Sequence, residues 1–137
     1  MSSAPSTVPP MGISLLPAPD AHDYAAYAEA LEDPGLLAGA VAVKVFRIPL
    51  LAVPVGGSRR GGCLVVGTNC RTALAICDAL AGWTGFPDVR VMESRRKWVV
   101  AWGESEPEPG WDLVHPDRLR FYGYAPAAVA RRAAVGA

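Results

Sequence analysis

The apolar and polar residues of the chain form an alternation of strand-like and helix-like segments. The longest apolar stretch covers residues 41–55 and is rich in β-branched side chains at both odd and even positions. Apolar residues at both odd and even positions are typical of a strand that is covered on both faces. Pro49 interrupts the stretch and lacks a backbone donor, which predicts an edge position, a bulge or a break into two shorter strands.

Whether residues 41–55 form one bent strand or two is left open by the sequence. A bend at Pro49 is favoured over a tight two-residue reversal, because no glycine or asparagine lies near it. A wider turn that contains the proline is the alternative.

A glycine-rich loop, Gly56 to Gly62, follows this stretch and leads into a short apolar segment at residues 63–66. Two apolar segments around such a loop are typical of an antiparallel hairpin. The sequence therefore predicts a hairpin from Val41 to Gly67 around which the rest of the chain is organised.

Three segments have the periodicity of helices. The first is predicted to begin near Asp20 and to end before Pro34, because residues before proline avoid the helical region. The second is predicted to begin after a cap at Thr68 or Asn69, and the third begins at Pro126. The predicted apolar face of the second helix consists of Cys70, Leu74, Cys77 and Ala81 and is widened by Ile76 and Leu80, with the cysteines as small core residues.

Two further strands with a period of two are predicted at residues 89–91 and 98–102, joined by a turn at residues 93–96. A helix between two hairpins returns the chain, so the strand that ends at Gly67 and the strand near Val89 are expected to run parallel. The two basic turns, at Arg59–Arg60 and Arg95–Arg96, then lie at opposite ends of the sheet. This placement argues against one continuous nucleic-acid track.

The element order predicts an α+β domain over residues 20–137, with an antiparallel-rich sheet of about four or five strands and about three helices. In order these elements are α-β-β(-β)-α-β-β-α. Residues 1–19 contain five prolines and are predicted to be a flexible N-terminal tail, with Ile13, Leu15 and Leu16 docking onto the domain.

Composition narrows the class of protein. The 137 residues suit one domain, and 51% hydrophobic against 19% charged residues is a globular composition. The formal net charge of zero makes nucleic acid an unlikely general partner and allows self-association. No apolar run is long enough for a membrane span, and the N-terminus lacks the pattern of a secretory signal. No membrane association is therefore expected.

The three cysteines lack the C-x-x-C spacing of zinc sites and are odd in number. Reduced thiols in the cytoplasm are the expectation. No pattern for a metal or another cofactor is present, so none is expected.

The element order αβββαββα, which applies if the long strand breaks at Pro49, resembles that of type III secretion chaperones and related small dimeric binding domains. The segments RIPLLAVPVGGSRRGG and RFYGY resemble those of small uncharacterised actinobacterial proteins that are grouped as a domain of unknown function. This second resemblance covers the chain from Asp20 onward. It implies no known activity and no site residues.

Two regions supply the candidate site residues. Arg59 and Arg60 are predicted to project from the tip of the glycine-rich loop, as an anion clamp or as solvated loop residues. Residues 111–124 are the most chemically varied stretch of the chain, and within it His115 and Asp117 are an acid–base pair if the protein is an enzyme. The alternative is a surface loop that latches the last helix. The candidate binding residues are Arg59, Arg60, Trp98, Trp102, Trp111, His115, Tyr122 and Tyr124.

Trp98 and Trp102 share one strand face, where they pack in the core or present a platform to a ligand or partner.

Three functions follow from these features. The first is a non-enzymatic binding or regulatory module that acts through an apolar sheet face or edge, as a homodimer. The second is a small-molecule-binding protein or enzyme with a pocket between the sheet and residues 111–124, where His115, Trp102 or Tyr122 converge. The third is anion or nucleic-acid binding through the loop at residues 56–62.

Overall fold

The structure is a computed structural model that describes residues 13–45, 47–107 and 115–136. The strands are β1 (Ser14–Pro17), β2 (Val41–Val45), β3 (Ile48–Ala52), β4 (Gly61–Gly67), β5 (Arg90–Ser94) and β6 (Lys97–Gly103). The α-helices are α1 (Tyr24–Ala30), α2 (Cys70–Leu80), α3 (Pro116–Phe121) and α4 (Pro126–Gly136). Two 3₁₀-helices, Ala18–Asp20 and Pro34–Gly39, flank α1.

The strands form two separate antiparallel sheets of three strands each. The first has the order β1-β2-β3 and the second has the order β4-β6-β5. This arrangement confirms the predicted α+β class. It differs from the expected single sheet, because β1 adds a sixth strand and the glycine-rich loop carries the chain from one sheet to the other.

The long apolar stretch is two strands, and they form a tight hairpin. Val45 pairs with Ile48, so the chain reverses immediately before β3. The expectation of a bend without a tight reversal was therefore wrong. Pro49 itself lies on the outer side of β3, where its carbonyl accepts from the backbone N–H of His22 at 2.8 Å. A proline without an N–H is tolerated at such an edge, as its sequence position predicted.

The predicted hairpin from Val41 to Gly67 does not form, because β4 pairs with β6 and not with β3. Most apolar residues on the two faces of β2 and β3 are instead covered within the chain, although Ile48 and Leu50 of β3 are 57% and 37% exposed. Val43 belongs to a larger core cluster on one side. Ala42, Leu51 and Val53 belong to a smaller cluster on the other side, beneath α1.

The sheet begins earlier in the chain than the sequence indicated. Residues 14–17 form β1, which pairs with β2, and the side chain of Ile13 is fully buried. Residues 13–19 of the predicted tail therefore belong to the domain. Residues 1–12 lie outside the described part of the chain.

Helix α2 begins where the sequence predicted, but its buried face is shifted toward the side of Ile76 and Leu80, which the prediction included only at the margin of the face. The Asn69 side chain accepts from the backbone N–H of Arg71 at 2.9 Å and of Thr72 at 3.4 Å, which makes it the N-cap. Leu74, which was predicted to be in the core, is 51% exposed. Cys70 and Cys77 are half-buried. The buried residues of α2 are Thr72, Ala73, Ile76 and Leu80.

The second sheet has the predicted relation between its two outer strands. Both β4 and β5 are antiparallel to β6, so they run parallel to each other. The register places Gly61 beside Gly103 at one end of β6, and Ser94 beside Lys97 at the other. The basic turns before β4 and after β5 thus lie at opposite ends of this sheet.

Trp102 joins the two sheets. Its side chain is fully buried, and its indole Nε1 donates to the carbonyl oxygen of Val53 at 2.9 Å. The ring lies directly over Gly62, where a Cβ atom would overlap the indole, and it packs against Phe86 with ring centroids 5.1 Å apart. Trp102 is therefore a core residue, and the alternative of a ligand platform at Trp102 is wrong.

The C-terminal part of the chain contains one helix more than predicted. Residues 116–121, expected to lie in a surface loop, form α3, and α4 begins at Pro126 as predicted. Within the described residues, no helix has both the length and the apolar character needed to cross a membrane.

Candidate anion-binding pocket

Arg59 points into the protein, in contrast to the prediction that it projects from the loop tip. Gly56 and Arg59 exchange two backbone hydrogen bonds, of 3.0 and 2.9 Å, which places Gly57 and Ser58 at the tip. The Arg59 side chain is only 3% exposed. Arg60 is the residue that stays at the surface, where its Nη2 lies 3.0 Å from Glu104 Oε1.

The Arg59 guanidinium is held by carbonyl oxygens and by aromatic rings. Its Nε donates to the carbonyl of Val53 at 3.3 Å, and its Nη1 donates to the carbonyl of Tyr122 at 2.9 Å. Its central carbon lies 5.8 Å from the ring centroids of both Tyr27 and Tyr122. Aromatic faces attract such a cation through their quadrupole.

No carboxylate neutralises Arg59 within the described residues, where the five ion pairs all involve other arginines. Burial lowers the pKa of the Arg59 guanidinium below its usual value. An arginine nevertheless keeps its proton in proteins. Among the described residues, only carbonyl dipoles and aromatic rings therefore compensate the desolvation of this buried positive charge.

A pocket of about 70 Å³ lies beside this guanidinium. Its walls come from α1, β4, α3 and the connector between α3 and α4. The lining residues are Tyr27, Arg59, Cys63, Arg118, Leu119, Tyr122 and Tyr124. The pocket thus lies between the second sheet and the segment at residues 115–124.

Gly123 allows the connector to approach Arg59 closely. Its φ is +83°, which L-residues rarely adopt, and a Cβ atom there would lie 2.6 Å from the Cβ of Arg59. The backbone N–H of Arg60 also donates to the carbonyl of Phe121 at 2.9 Å. These contacts fix the aromatic wall of the pocket against the loop that carries Arg59.

Glu106 neutralises the second arginine of the pocket. Its Oε2 accepts from Arg118 Nε at 3.1 Å and from the Tyr122 hydroxyl at 2.5 Å. The Arg118 guanidinium also lies 4.8 Å from the Tyr122 ring centroid. Burial is the main cause that raises the pKa of Tyr122 well above its usual range, and Cys63 and Glu106 raise it further.

Tyr27 contributes a neutral phenol to the wall of the pocket. Burial, with a smaller effect of Tyr124, raises the pKa of Tyr27 to about 12, and the charge of Arg59 only partly opposes this shift. Tyr27 therefore keeps its proton at neutral pH and remains a hydrogen-bond donor.

The candidate acid–base residues have structural roles at the start of α3. The Nδ1 atom of His115 accepts from the backbone N–H of Asp117 at 3.1 Å, so His115 caps the helix. The Asp117 carboxylate accepts from Arg120 Nη1 at 2.7 Å. Neither residue is among those that line the pocket.

The remaining candidates are spread over the molecule. Tyr122 and Tyr124 lie in the pocket wall beside Arg59. Trp98 is partly buried against the larger core cluster. Trp111 lies outside the described residues.

Four lining residues were absent from the sequence-based candidates: Tyr27, Cys63, Arg118 and Leu119. The sequence contained one indication for Cys63. Arg59 lies just before β4 and Cys63 lies within it, four residues later, and residues separated by an even number of positions in an extended chain lie on the same face. The others come from distant segments, and no local pattern relates them to Arg59.

The described residues contain no group of three or more His, Cys, Asp or Glu side chains placed to hold a metal ion. The chain is thus a small α+β domain of two three-stranded sheets with a pocket built around a buried arginine. A family model matches residues 15–136, and the protein belongs to the family of unknown function DUF6302. Neither a curated protein nor a solved structure matches the chain.

Proposed function

We propose that this protein is a binding module that takes a small anionic molecule, or one anionic group of a larger one, in the pocket beside Arg59. The observation that carries the proposal is the buried guanidinium of Arg59, which faces the pocket and has no carboxylate partner among the described residues. A bound anion would supply the missing ionic partner through charge-assisted hydrogen bonds.

The size of the pocket supports a single functional group as its occupant. A volume of about 70 Å³ is far below the roughly 300–1,000 Å³ of pockets that enclose a whole drug-sized ligand. The rest of a larger ligand would lie outside the pocket. This proposal combines the predicted pocket at residues 111–124 with the predicted anion binding at the glycine-rich loop.

Cys63 provides a native reporter for testing the proposal. It lines the pocket, whereas Cys70 and Cys77 lie on α2 and serve as internal references. Small anions and matched neutral compounds would be screened by thermal shift, and each hit would then be tested for protection of the thiols from alkylation. We expect anionic hits to raise Tm and to slow alkylation of Cys63 only. The proposal would be refuted if neutral compounds are hits as often as anionic ones, or if the hits do not slow the alkylation of Cys63.

Self-association is a second candidate, supported by an apolar strip on the second sheet. Val65 and Met92 are 53% and 46% exposed, and both lie directly opposite Val99 on β6. Substitution of Val65 by Lys would place a charge in such an interface. Sedimentation should show that the native protein is a dimer and that the Val65→Lys variant is a monomer. A native protein that is a monomer at all concentrations would contradict self-association.

The edge of β3 is a poorer interface, because Asp23 Oδ1 already accepts from the Leu51 N–H at 2.8 Å.

The cytoplasm remains the proposed location, supported by three free cysteines within the described residues. The likeness to actinobacterial proteins and to type III secretion chaperones remains a prediction from the sequence.

A further inference from the structure

We infer that the anionic group recognised by this pocket is a carboxylate with a single negative charge, held in the plane of the Arg59 guanidinium. The inference rests on the proposed function and specifies the chemical class of its ligand. Charge balance, the unused donors of Arg59 and the surrounding walls each support it.

The charge balance of the pocket corresponds to a monoanion. Two arginines line the pocket, but Arg118 is already paired with Glu106, whose Oε2 lies 3.1 Å from Arg118 Nε. The charge of Arg59 is the one left without a carboxylate among the described residues of the pocket. A dianion would therefore bring one negative charge more than the pocket can neutralise.

Three of the five N–H donors of Arg59 are unused within the described part of the protein. Arginine has five N–H donors in a planar fork. Nε donates to Val53, and one hydrogen of Nη1 donates to Tyr122. Both hydrogens of Nη2 and the second hydrogen of Nη1 are left, and a carboxylate can accept two parallel hydrogen bonds from adjacent guanidinium nitrogens.

Two backbone donors of the glycine-rich loop that could otherwise hold a phosphate, the N–H groups of Arg59 and Arg60, are already used. Tetrahedral phosphates are commonly held by several backbone N–H groups of a glycine-rich loop. Here the N–H of Arg59 donates to the Gly56 carbonyl at 2.9 Å, and the N–H of Arg60 donates to the Phe121 carbonyl at 2.9 Å. The loop therefore recognises a ligand through the Arg59 side chain and not through its backbone.

The remaining walls suit the carbon next to a carboxylate. Leu119 and Cys63 line the pocket with apolar or weakly polar surface. The rings of Tyr27 and Tyr122 also lie near the guanidinium, with centroids 5.8 Å from its central carbon.

The test compares propionate with propionamide and inorganic phosphate, using the full-length isotope-labelled protein at constant ionic strength. The guanidinium N–H signals of Arg59 and the methyl signals of Leu119 report on the pocket. We expect propionate to shift both and to bind at least about tenfold more tightly than either other compound, a difference of about 1.4 kcal/mol. N-acetylalanine against its amide extends the comparison to the carboxyl end of a peptide.

The outcomes separate this inference from the proposed function. Phosphate that binds in the pocket as tightly as propionate would overturn the carboxylate assignment and leave anion binding standing. Propionamide that binds as tightly as propionate, or the lack of any shift at Arg59, would overturn both.

A matched pair of variants tests the role of the planar edge. Arg59→Lys keeps the charge but removes the edge, so propionate binding should weaken by about tenfold or more. Arg60→Lys changes the neighbouring exposed residue, which is paired with Glu104, and should leave binding unchanged. Unchanged binding in a folded Arg59→Lys variant would refute the edge geometry. If that variant does not fold, the comparison of compounds on the native protein decides alone.

Discussion

At the scale of single residues, the protein shows how strongly surroundings alter the role of a side chain. Arg59 and Arg60 are identical neighbours, yet Arg59 is 3% exposed and Arg60 is at the surface. The two backbone hydrogen bonds between Gly56 and Arg59 cause this difference, because they turn the first arginine inward. The sequence identified both as candidates but predicted that both project from the loop tip, which is wrong for Arg59.

Tyr27 gives a prediction on pH dependence. Its pKa is about 12 in the folded protein, against a usual value of about 10. Below pH 10 the phenol is protonated in the folded and in the unfolded protein, so the contribution of Tyr27 to the free energy of unfolding is fully present. As the pH rises from 10 to 12 the unfolded state loses the proton first, and the free energy of unfolding falls by up to about 3 kcal/mol.

The variant Tyr27→Phe should therefore lose less stability than the native protein between pH 10 and 12. Urea unfolding at several pH values would measure this difference. An absorbance titration of the phenolates would check the pKa directly. Identical alkaline profiles for the two proteins would show that Tyr27 is not the group responsible.

At the scale of elements, α2 shows where periodicity is ambiguous. Its sequence contains two overlapping apolar stripes, one through Cys70, Leu74 and Cys77 and another through Ala73, Ile76 and Leu80. The structure buries the second stripe against the larger core cluster. Which stripe is buried depends on how the helix packs across β5 and β6, and a helical period alone does not contain that information.

This difference predicts unequal effects of two similar truncations in α2. Ile76 is fully buried, so Ile76→Ala should lower the free energy of unfolding by about 3 kcal/mol. Leu74 is 51% exposed, so Leu74→Ala is expected to cost less than about 1 kcal/mol. Urea denaturation of both variants, with the N-cap Asn69 intact, gives the comparison. Similar losses in the two variants would contradict the difference in burial between Ile76 and Leu74.

The β5–β6 hairpin shows the opposite case, in which the local sequence was sufficient. Arg95 and Arg96 both have positive φ, of 52° and 67°, as the two central residues of a tight hairpin turn have. Polar residues between two alternating apolar segments predicted this turn even without glycine or asparagine.

At the scale of the whole molecule, the carbonyl of Val53 connects the two sheets. It accepts from Trp102 Nε1 at 2.9 Å and from Arg59 Nε at 3.3 Å. The larger core cluster also contains residues of both sheets, such as Val43 and Val100. Each sheet therefore buries one of its apolar faces against residues of the other sheet.

We therefore predict that both sheets unfold in one cooperative transition. Trp98 and Trp102 report on the second sheet by fluorescence, and the exchange of the backbone amides of Ala42 and Val43 reports on the first. The free energies from the two probes should agree within experimental error. Two separate transitions would show that the shared core does not couple the sheets.

The sequence by itself determined the features that depend on local chemistry. The alternation of apolar segments predicted the α+β class, Asn69 was one of two predicted caps for α2, and Pro126 marked the start of α4. Pro49 predicted an edge position, a bulge or a break into two strands, because a proline lacks a backbone donor. Each of these features follows from a few adjacent residues.

Only the tertiary structure decided how these elements combine. The pairing of β4 with β6, the buried stripe of α2 and the pocket around Arg59 all depend on contacts between distant segments. The hydrogen bond from Arg59 to Tyr122 spans 63 residues. Such contacts are set by the packing of the whole core, and they leave no periodic signal in the segments that make them.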